Sequence, residues 1–182
     1  MSKQITFTVG SLLDDMARRY PDNEALVYPE RNLRLTYKQF NDTCRQIAKG
    51  LLRLGIKKGD NIAIWAYNVP EWVLLQFASA KIGAILVTVN TSYKSAELEY
   101  ILGQSDSTSL FMVGSFKDTN YVETLAGVVP ELASSQPGTL DCSKLPFLKN
   151  VIFIGTDTPA GMINFDSISP SAGMSPTRCS RQ

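Results

Sequence analysis

Histidine is the residue whose absence most restricts the chemistry open to this chain. None of the 182 residues is histidine, which excludes a Ser-His or Cys-His nucleophile pair, a histidine-ligated zinc and a histidine proton shuttle. The cysteines Cys44, Cys142 and Cys179 are widely spaced, so they fit neither a metal knuckle nor a disulfide framework and indicate a reducing compartment. Cys44 falls on the apolar stripe of a predicted helix, where we expect a packed thiol.

Neither common phosphate-binding loop occurs in the sequence, since GxxxxGK[ST] and a GxGxxG after a strand are both missing. Carboxylates are paired at Asp14 with Asp15 and at Glu97 with Glu99. Both pairs fall on predicted helices, where we expect solvated faces or first-turn dipole partners. Residue types and spacing therefore give no catalytic residue and no metal site.

The candidate ligand-facing residues follow two predicted strands. Asn68 follows the first strand of a predicted parallel sheet, and Asn90 and Tyr93 follow the second. Open parallel sheets bind ligands beyond the carboxyl ends of their strands, so these three side chains are the candidates for ligand contact. Asparagine also favours such positions as a turn former, and this alternative stays open.

An alternation of strands and helices must position these residues. Near-continuous apolar strands are predicted at 61–66, 84–89, 109–113 and 151–154. Helices are predicted between them, at 70–81, from Ser95 onward and, more weakly, at 116–125. This order indicates an α/β fold, a partial doubly wound parallel sheet with helices on both faces.

The segments before and after the sheet are less regular. We predict a helix at 11–20 capped by Ser11, strands at 25–28 and 33–36, and a helix at 37–54. Thr36 and Gln39 have the spacing of a capping box for the second helix. Residues 130–146 are expected to be a loop or insertion, and residues 169–182, which lack an apolar period, a disordered tail.

Charge and hydropathy exclude two classes of partner. Eighteen basic and 17 acidic residues leave a net charge of +1, which gives no reason to expect nucleic acid. The longest apolar stretch, near 73–80, is too short for a transmembrane segment. We expect a cytoplasmic protein, and a mitochondrial matrix form without its presequence stays open.

Six phrases, in order along the chain, resemble those of AMP-forming acyl-CoA synthetases in the adenylate-forming ligase superfamily. They are LTY at 35–37, LGIKKGDNIAI at 54–64, NVPEW at 68–72, KIGAI at 81–85, NTSY at 90–93 and EL at 97–98. The match runs from about residue 7 to about residue 165, and its wording is closest to the medium- and long-chain fatty acyl-CoA synthetases. The phrases fall on helix caps, turns and strand ends, which are scaffold features.

The resemblance implies a two-step reaction in the full-length family. ATP and Mg²⁺ convert a carboxylate into an acyl-adenylate, and the thiol of coenzyme A then displaces AMP. The family holds the phosphates on a Ser/Thr/Gly-rich loop ending in lysine and uses a further lysine of a mobile C-terminal domain. Neither motif occurs here, so no catalytic or cofactor-binding residue carries over, and we expect no cofactor in this chain alone.

We therefore expect residues 7–168 to be an incomplete N-terminal part of the AMP-binding domain of a fatty acid–CoA ligase, truncated before the catalytic motifs and inactive alone. Fatty acid would be a substrate of the full-length form only. The alternative is a non-catalytic module that forms a homo- or hetero-oligomer with a full-length synthetase, because a sheet cut short leaves an open edge. A third reading is a product that aggregates through uncovered apolar faces.

Overall fold

Apolar strands alternate with helices along residues 7–169, the part of the chain that the computed structural model describes. The helices are α1 (Val9–Arg19), α2 (Tyr37–Arg53), α3 (Pro70–Ile82), α4 (Ser95–Gln104), α5 (Tyr121–Val128) and α6 (Phe165–Ile168). The strands are β1 (Glu24–Tyr28), β2 (Leu33–Thr36), β3 (Asn61–Trp65), β4 (Ile85–Thr88), β5 (Ser109–Met112), β6 (Ser115–Phe116), β7 (Thr119–Asn120), β8 (Asn150–Phe153) and β9 (Ile163–Asn164).

A five-stranded parallel sheet in the order β4-β3-β5-β8-β9 forms the centre of the fold. Ile62 of β3 lies opposite Leu86 of β4 on one side and Ser109 of β5 on the other. All four residues of β5 and of β8 are buried, as expected for strands covered on both faces. The predicted α/β fold with a partial doubly wound parallel sheet is confirmed.

The helices form two groups that cover the sheet. Helices α1, α2 and α3 contact one another, α6 contacts α2, and α4 contacts α5. Helix α3 starts at Pro70 and ends at Gly83, whose φ of 75° lies in the left-handed region that glycine tolerates best. Both ends agree with the sequence to within one residue, because proline and glycine fix the boundaries through backbone geometry.

The capping prediction is confirmed for α2 and wrong for α1. In α2, the Gln39 amide donates to Thr36 Oγ1 at 3.3 Å, and the Thr36 amide donates to Gln39 Oε1 at 2.9 Å. In α1 the cap is Thr8 rather than Ser11, because Ser11 is the third helical residue and its hydroxyl accepts from the Thr8 amide at 3.0 Å. The pair makes a capping box that starts the helix two residues earlier than expected.

The predicted helix at 116–125 is wrong at its start. The short hairpin β6–β7 occupies its first turn, with Lys117 at a φ of 50° in the left-handed region, a conformation that cannot continue an α-helix. Helix α5 begins only at Tyr121, where the Asn120 side chain accepts from the Glu123 amide at 3.2 Å.

The predicted cap of α4 is also wrong. Ser95 is the first residue of α4 rather than its cap, and the Glu97 side chain accepts from the Lys94 amide at 3.1 Å.

The segment 130–146, expected to be a loop or insertion, begins with a 3-10 helix at Pro130–Ser134 and is packed against the core. It contributes the buried side chains Leu132, Leu140, Cys142 and Leu145. Two short elements, β9 and α6, had no counterpart in the sequence prediction. Of the expected disordered tail, only Ser169 is described, and it is buried with its amide donating to the Asp166 carbonyl at 3.2 Å; residues 170–182 lie outside the described range.

Asp14 joins three helices and is not the solvated side chain expected from its place on α1. Its Oδ1 accepts hydrogen bonds from Asn41 at 3.0 Å, Arg45 at 2.7 Å and Lys81 at 3.1 Å. Burial alone would raise the pKa of Asp14, but these donors outweigh it and leave the pKa below its usual value. Asp15 is buried and pairs with two arginines of the same helix.

We predict that Gly50→Ala destabilises the chain. A Cβ on Gly50 of α2 would overlap the backbone carbonyl oxygen of Ile168, which α6 holds against α2. We expect a loss of about 1–3 kcal/mol in the free energy of unfolding, measured by urea denaturation. Gly127→Ala in α5 is the matched control, since its nearest neighbour is Ser95 Oγ at 3.7 Å; it should be neutral or stabilising by up to about 1 kcal/mol. Equal effects would contradict the packing of α6 on α2.

Candidate functional site

The strand order defines one crevice at the carboxyl edge of the sheet. The chain passes from β3 to its neighbour β4 and then returns to β5 on the opposite side of β3. The order therefore reverses between β3 and β5, and such a switch point is where open α/β sheets bind ligands. Asn68 follows the β3 side of this crevice and Gly114 follows the β5 side.

The three candidate residues from the sequence all follow strands of this edge. Asn68 is exposed and lies three residues beyond the end of β3. Asn90 and Tyr93 follow β4, which lies on the far side of β3 from the switch point. Only Asn68 therefore comes from a strand that borders the crevice, and a ligand contact by any of the three stays a prediction.

Hydrogen bonds to neighbouring residues already engage the Asn90 side chain and the Asn68 backbone carbonyl. The Asn90 side chain accepts from the Ser92 amide at 2.9 Å, a short-range turn that fits the turn-former alternative. The Asn68 carbonyl accepts from the Tyr28 hydroxyl at 2.8 Å, while its side chain remains exposed. Tyr93 is half-buried against the core. Asn68 and Asn90 are thus both exposed, and the side chain of Asn90 is already engaged by its own turn.

A stacked aromatic pair holds the loop after β4. The rings of Trp65 and Tyr121 lie 3.7 Å apart, nearly parallel at 9°. Trp65 Nε1 donates to the Asn90 carbonyl at 3.1 Å, and the Tyr121 hydroxyl donates to the Thr91 carbonyl at 2.8 Å. Two successive carbonyls are therefore bonded from one rigid, buried platform, which fixes the position of the Asn90–Tyr93 turn.

A second aromatic pair spans the switch point itself. The ring centroids of Tyr67, after β3, and Phe116, after β5, lie 5.4 Å apart at 20°. Lys117 Nζ lies 5.4 Å from the Phe116 centroid. Half-buried aromatic faces beside an ammonium group suit a flat ring carrying an anionic group.

Sequence reasoning missed Phe116 and Lys117 because it assigned them to a helix. Gly114, two residues beyond the end of the apolar strand β5, was the available signal, since a glycine there indicates a turn.

One partly buried ion pair links the β1–β2 hairpin to α3 beside this edge. Glu71, in the first turn of α3, is 5% exposed and accepts from Arg31 Nη1 at 2.6 Å. The Arg31 guanidinium also lies over the Tyr28 ring, 5.8 Å from its centroid. Because Tyr28 bonds to the Asn68 carbonyl, the hairpin and the β3–α3 turn form one connected unit.

The groups at the edge do not fit a magnesium ion. Mg²⁺ prefers several carboxylate or phosphate oxygens, whereas of the two carboxylates on the elements beside the crevice Glu71 is paired with Arg31 and Asp118 follows Lys117 in the β6–β7 turn. Within residues 7–169, no cluster of three or more His, Cys, Asp or Glu side chains is placed to hold a metal. We therefore derive no step through a metal at this edge.

Over the same residues, no helix is long and apolar enough to cross a membrane.

We predict that Tyr121→Phe loosens the turn after β4. The substitution keeps the stacked ring but removes the donor to the Thr91 carbonyl, at a cost of about 1 kcal/mol or more in unfolding free energy. Hydrogen exchange should quicken at the amides of Ser92 and Tyr93. Tyr37→Phe is the control, because it removes a hydroxyl from a half-buried tyrosine remote from this turn. Unchanged exchange in Tyr121→Phe would show that the bond does not hold the turn.

Cys44 is packed as expected and should be inert while the chain is folded. Burial raises the pKa of its thiol from 9.0 to about 12, and its Sγ lies 3.7 Å from the Leu74 carbonyl oxygen. A thiol reagent at about pH 8 should label Cys44 only in denaturant, as followed by peptide mass spectrometry.

The raised pKa of Cys44 also sets a pH dependence. The neutral thiol is favoured in the folded state, so its contribution to stability is present below pH 9 and is lost as the pH rises from 9 towards about 12. Cys44→Ala should remove that part of the decline, which pH-dependent urea denaturation would measure. Fast labelling of the native chain would contradict the buried position.

Comparison with known proteins agrees with this geometry. The profile of the AMP-binding enzyme family matches residues 13–160. The Bacillus subtilis (strain 168) protein that carries the name acyl-CoA synthetase YngI is 50% identical over 166 residues, which are 91% of this chain and 30% of that protein. The mouse medium-chain acyl-CoA ligase ACSF2, mitochondrial, is 40% identical over 172 residues, which are 94% of this chain and 28% of that protein.

A solved structure supports the same assignment. The N-terminal domain of FACL13 from Mycobacterium tuberculosis superimposes with a TM-score of 0.68 at 26% identity, covering 97% of this chain and 40% of that one. This chain spans about 30% of the length of the curated relatives that it matches. The resemblance expected from the six sequence phrases is therefore confirmed by relatives that are named acyl-CoA synthetase and acyl-CoA ligase, and the chain belongs to the AMP-binding enzyme family.

Proposed function

We propose that this chain is the scaffold part of the large domain of a fatty acid–CoA ligase and is inactive alone. The observation that carries the proposal is the make-up of the switch-point crevice. Tyr67, Phe116 and Lys117 offer stacking and one positive charge, but within residues 7–169 no group of three or more His, Cys, Asp or Glu side chains could hold a metal. Formation of an acyl-adenylate needs phosphate charge to be stabilised by donors and metal ions.

The relatives support the substrate class and the need for further residues. ACSF2 is named a medium-chain acyl-CoA ligase, and its sequence is more than three times as long as the part matched here. A carboxylic acid with an aliphatic chain is the substrate that we propose for the whole ligase, with ATP, Mg²⁺ and coenzyme A as its co-reactants. We propose a cytoplasmic location. The mitochondrial matrix is the alternative, because the names of the ACSF2 relatives include the word mitochondrial.

The scaffold proposal predicts no adenylation by residues 1–182. Purified chain mixed with ATP, Mg²⁺ and a medium-chain fatty acid should release no pyrophosphate above the protein-free rate, and calorimetry should detect no ATP binding at micromolar concentrations. An authentic full-length acyl-CoA synthetase serves as the positive control. Fatty acid-dependent release of pyrophosphate would contradict the proposal.

Calorimetry also distinguishes ATP binding at the Tyr67–Phe116 pair beside Lys117 from ATP binding at Asn68. If ATP does bind, comparison of Lys117→Ala with Asn68→Ala tells whether the aromatic pair or the predicted strand-end residue forms the site. Binding of ATP without turnover would overturn the inert-scaffold part of the proposal but leave the family assignment intact.

A second candidate function is pairing with a full-length synthetase, which the open edge of β4 favours. Strand β4 ends the sheet on one side, and its first residue, Ile85, is 53% exposed. An exposed edge strand offers unpaired amides and carbonyls to another chain. Affinity capture at native expression levels tests this candidate; recovery of the short chain without any synthetase would contradict it, and Ile85→Lys should abolish a pairing that runs through this edge.

A further inference from the structure

A groove with two tyrosine side chains and one carboxylate lies along the start of helix α4. Its volume is about 280 Å³, and it is lined by Tyr93, Ala96, Glu97, Tyr100 and Ile101. Residues three and four apart lie on one face of a helix, which places Glu97 one turn before both Tyr100 and Ile101. The volume lies just below the range of about 300–1,000 Å³ for pockets that hold drug-sized ligands, so the groove suits a small molecule or a single chemical group.

The faces of the two tyrosine rings are not used by other aromatic or basic groups of the described chain. Within residues 7–169, neither Tyr93 nor Tyr100 pairs with another aromatic ring, and neither carries a basic group over its face. Tyr93 is half-buried and packs against the core, whereas Tyr100 is 68% exposed. Because the face of an aromatic ring is the negative part of its quadrupole, the two rings attract a cation.

Glu97 adds a negative charge that no basic side chain of residues 7–169 neutralises by an ion pair. Its Oε2 accepts from the Lys94 amide at 3.1 Å, which holds the side chain at the start of the helix. The ammonium group of Lys94 itself donates to Thr119 Oγ1 at 2.7 Å, and Lys144 pairs with Glu99. The groove therefore combines two aromatic side chains with one carboxylate that lacks an ionic partner in this part of the chain.

Aromatic rings beside a carboxylate are the groups that recognise quaternary ammonium ions in proteins. Such an ion is bulky and weakly hydrated, so its methyl groups lose little on leaving water and gain contact with apolar side chains such as Ala96 and Ile101. We propose that the α4 groove binds a quaternary ammonium ligand of the choline class. Its methyl groups lie against Tyr93 and Tyr100, and its positive charge faces Glu97.

The inference goes beyond the proposed function. A cation bound beside α4 takes no part in the adenylation of a carboxylate, so the ammonium site and the ligase scaffold stand or fall separately. The groove is open and one of its rings is exposed, so we expect weak, reversible binding with a dissociation constant of about 1–10 mM.

Titration of the isotope-labelled 182-residue chain with choline chloride to about 50 mM, followed by two-dimensional amide NMR spectra, tests the site. Saturable shifts are expected at residues 93–101, and sodium chloride at equal ionic strength should not produce them. The uncharged alcohol in which carbon replaces the choline nitrogen keeps the shape of the ligand. It should bind at least about tenfold more weakly, because the rings and Glu97 recognise the charge. Equal binding of the two compounds would overturn the proposal.

Two matched pairs of variants test the roles of the carboxylate and the ring. Glu97→Gln keeps an acceptor for the Lys94 amide but removes the charge, and it should raise the dissociation constant by about fivefold or more. Glu99→Gln removes a carboxylate from the same helix outside the groove and should leave binding unchanged. Tyr100→Leu should weaken binding about threefold or more, whereas Phe147→Leu, at an exposed ring elsewhere, should not.

A further variant closes the groove while leaving both rings and the carboxylate in place. Ala96→Leu places a larger side chain in the groove on a helix that accepts leucine well, and it should abolish the shifts. Thermal melts confirm that each variant is folded. Failure of choline to produce saturable shifts at the highest concentration overturns the proposal, as do shifts that persist unchanged in both Glu97→Gln and Tyr100→Leu.

Vesicles distinguish the two sources of the same cation. Retention of the chain on phosphatidylcholine vesicles but not on phosphatidylglycerol vesicles, with release by free choline, assigns the site to a lipid head group. Saturable shifts with choline but no retention on either vesicle assign it to a soluble ligand. Retention on phosphatidylglycerol vesicles alone contradicts recognition of a quaternary ammonium group.

Discussion

Burial of β3 between two parallel neighbours is the constraint on which the rest of the fold depends. Its residues Ile62, Ala63, Ile64 and Trp65 are all fully buried, so their backbone groups must be paired by β4 and β5, and their side chains must be covered by helices. This requirement fixes the strand order around β3 and hence the switch point. It also fixes the amino end, where Asn61 Nδ2 donates to the Ser105 carbonyl at 2.6 Å.

At the carboxyl edge, the backbone hydrogen bonds between strands end, and aromatic side chains donate hydrogen bonds to the backbone carbonyls beyond the strands. Tyr28, Trp65 and Tyr121 each donate to a carbonyl that follows β3 or β4. The bonds to the Asn90 and Thr91 carbonyls are partly buried, and a buried carbonyl without a partner is costly, so Trp65 and Tyr121 stabilise the turn after β4. Under the proposed function, the stacked rings of Tyr67 and Phe116 and the ammonium group of Lys117 are what this chain contributes to the crevice of a ligase domain.

The sequence predicts the elements whose boundaries are set by local chemistry. Pro70, Gly83 and the Thr36–Gln39 capping box act within one turn, so their effect can be seen in the sequence. The left-handed Lys117 and the two-residue strand β9 carry no such pattern. The Trp65–Tyr121 and Tyr67–Phe116 stacks join residues about fifty positions apart, which only the folded sheet brings together, and the use of the Asn90 side chain by its own turn depends on that same geometry.

Native-state hydrogen exchange as a function of denaturant tests the central role of β3 most directly. The amides of Ile62 to Trp65 should exchange only through global unfolding, with the same free energy and denaturant dependence as those of β5, while the β6–β7 hairpin opens locally at lower free energy. Exchange of the β3 amides through a local opening, at a free energy well below that of global unfolding, would contradict the account.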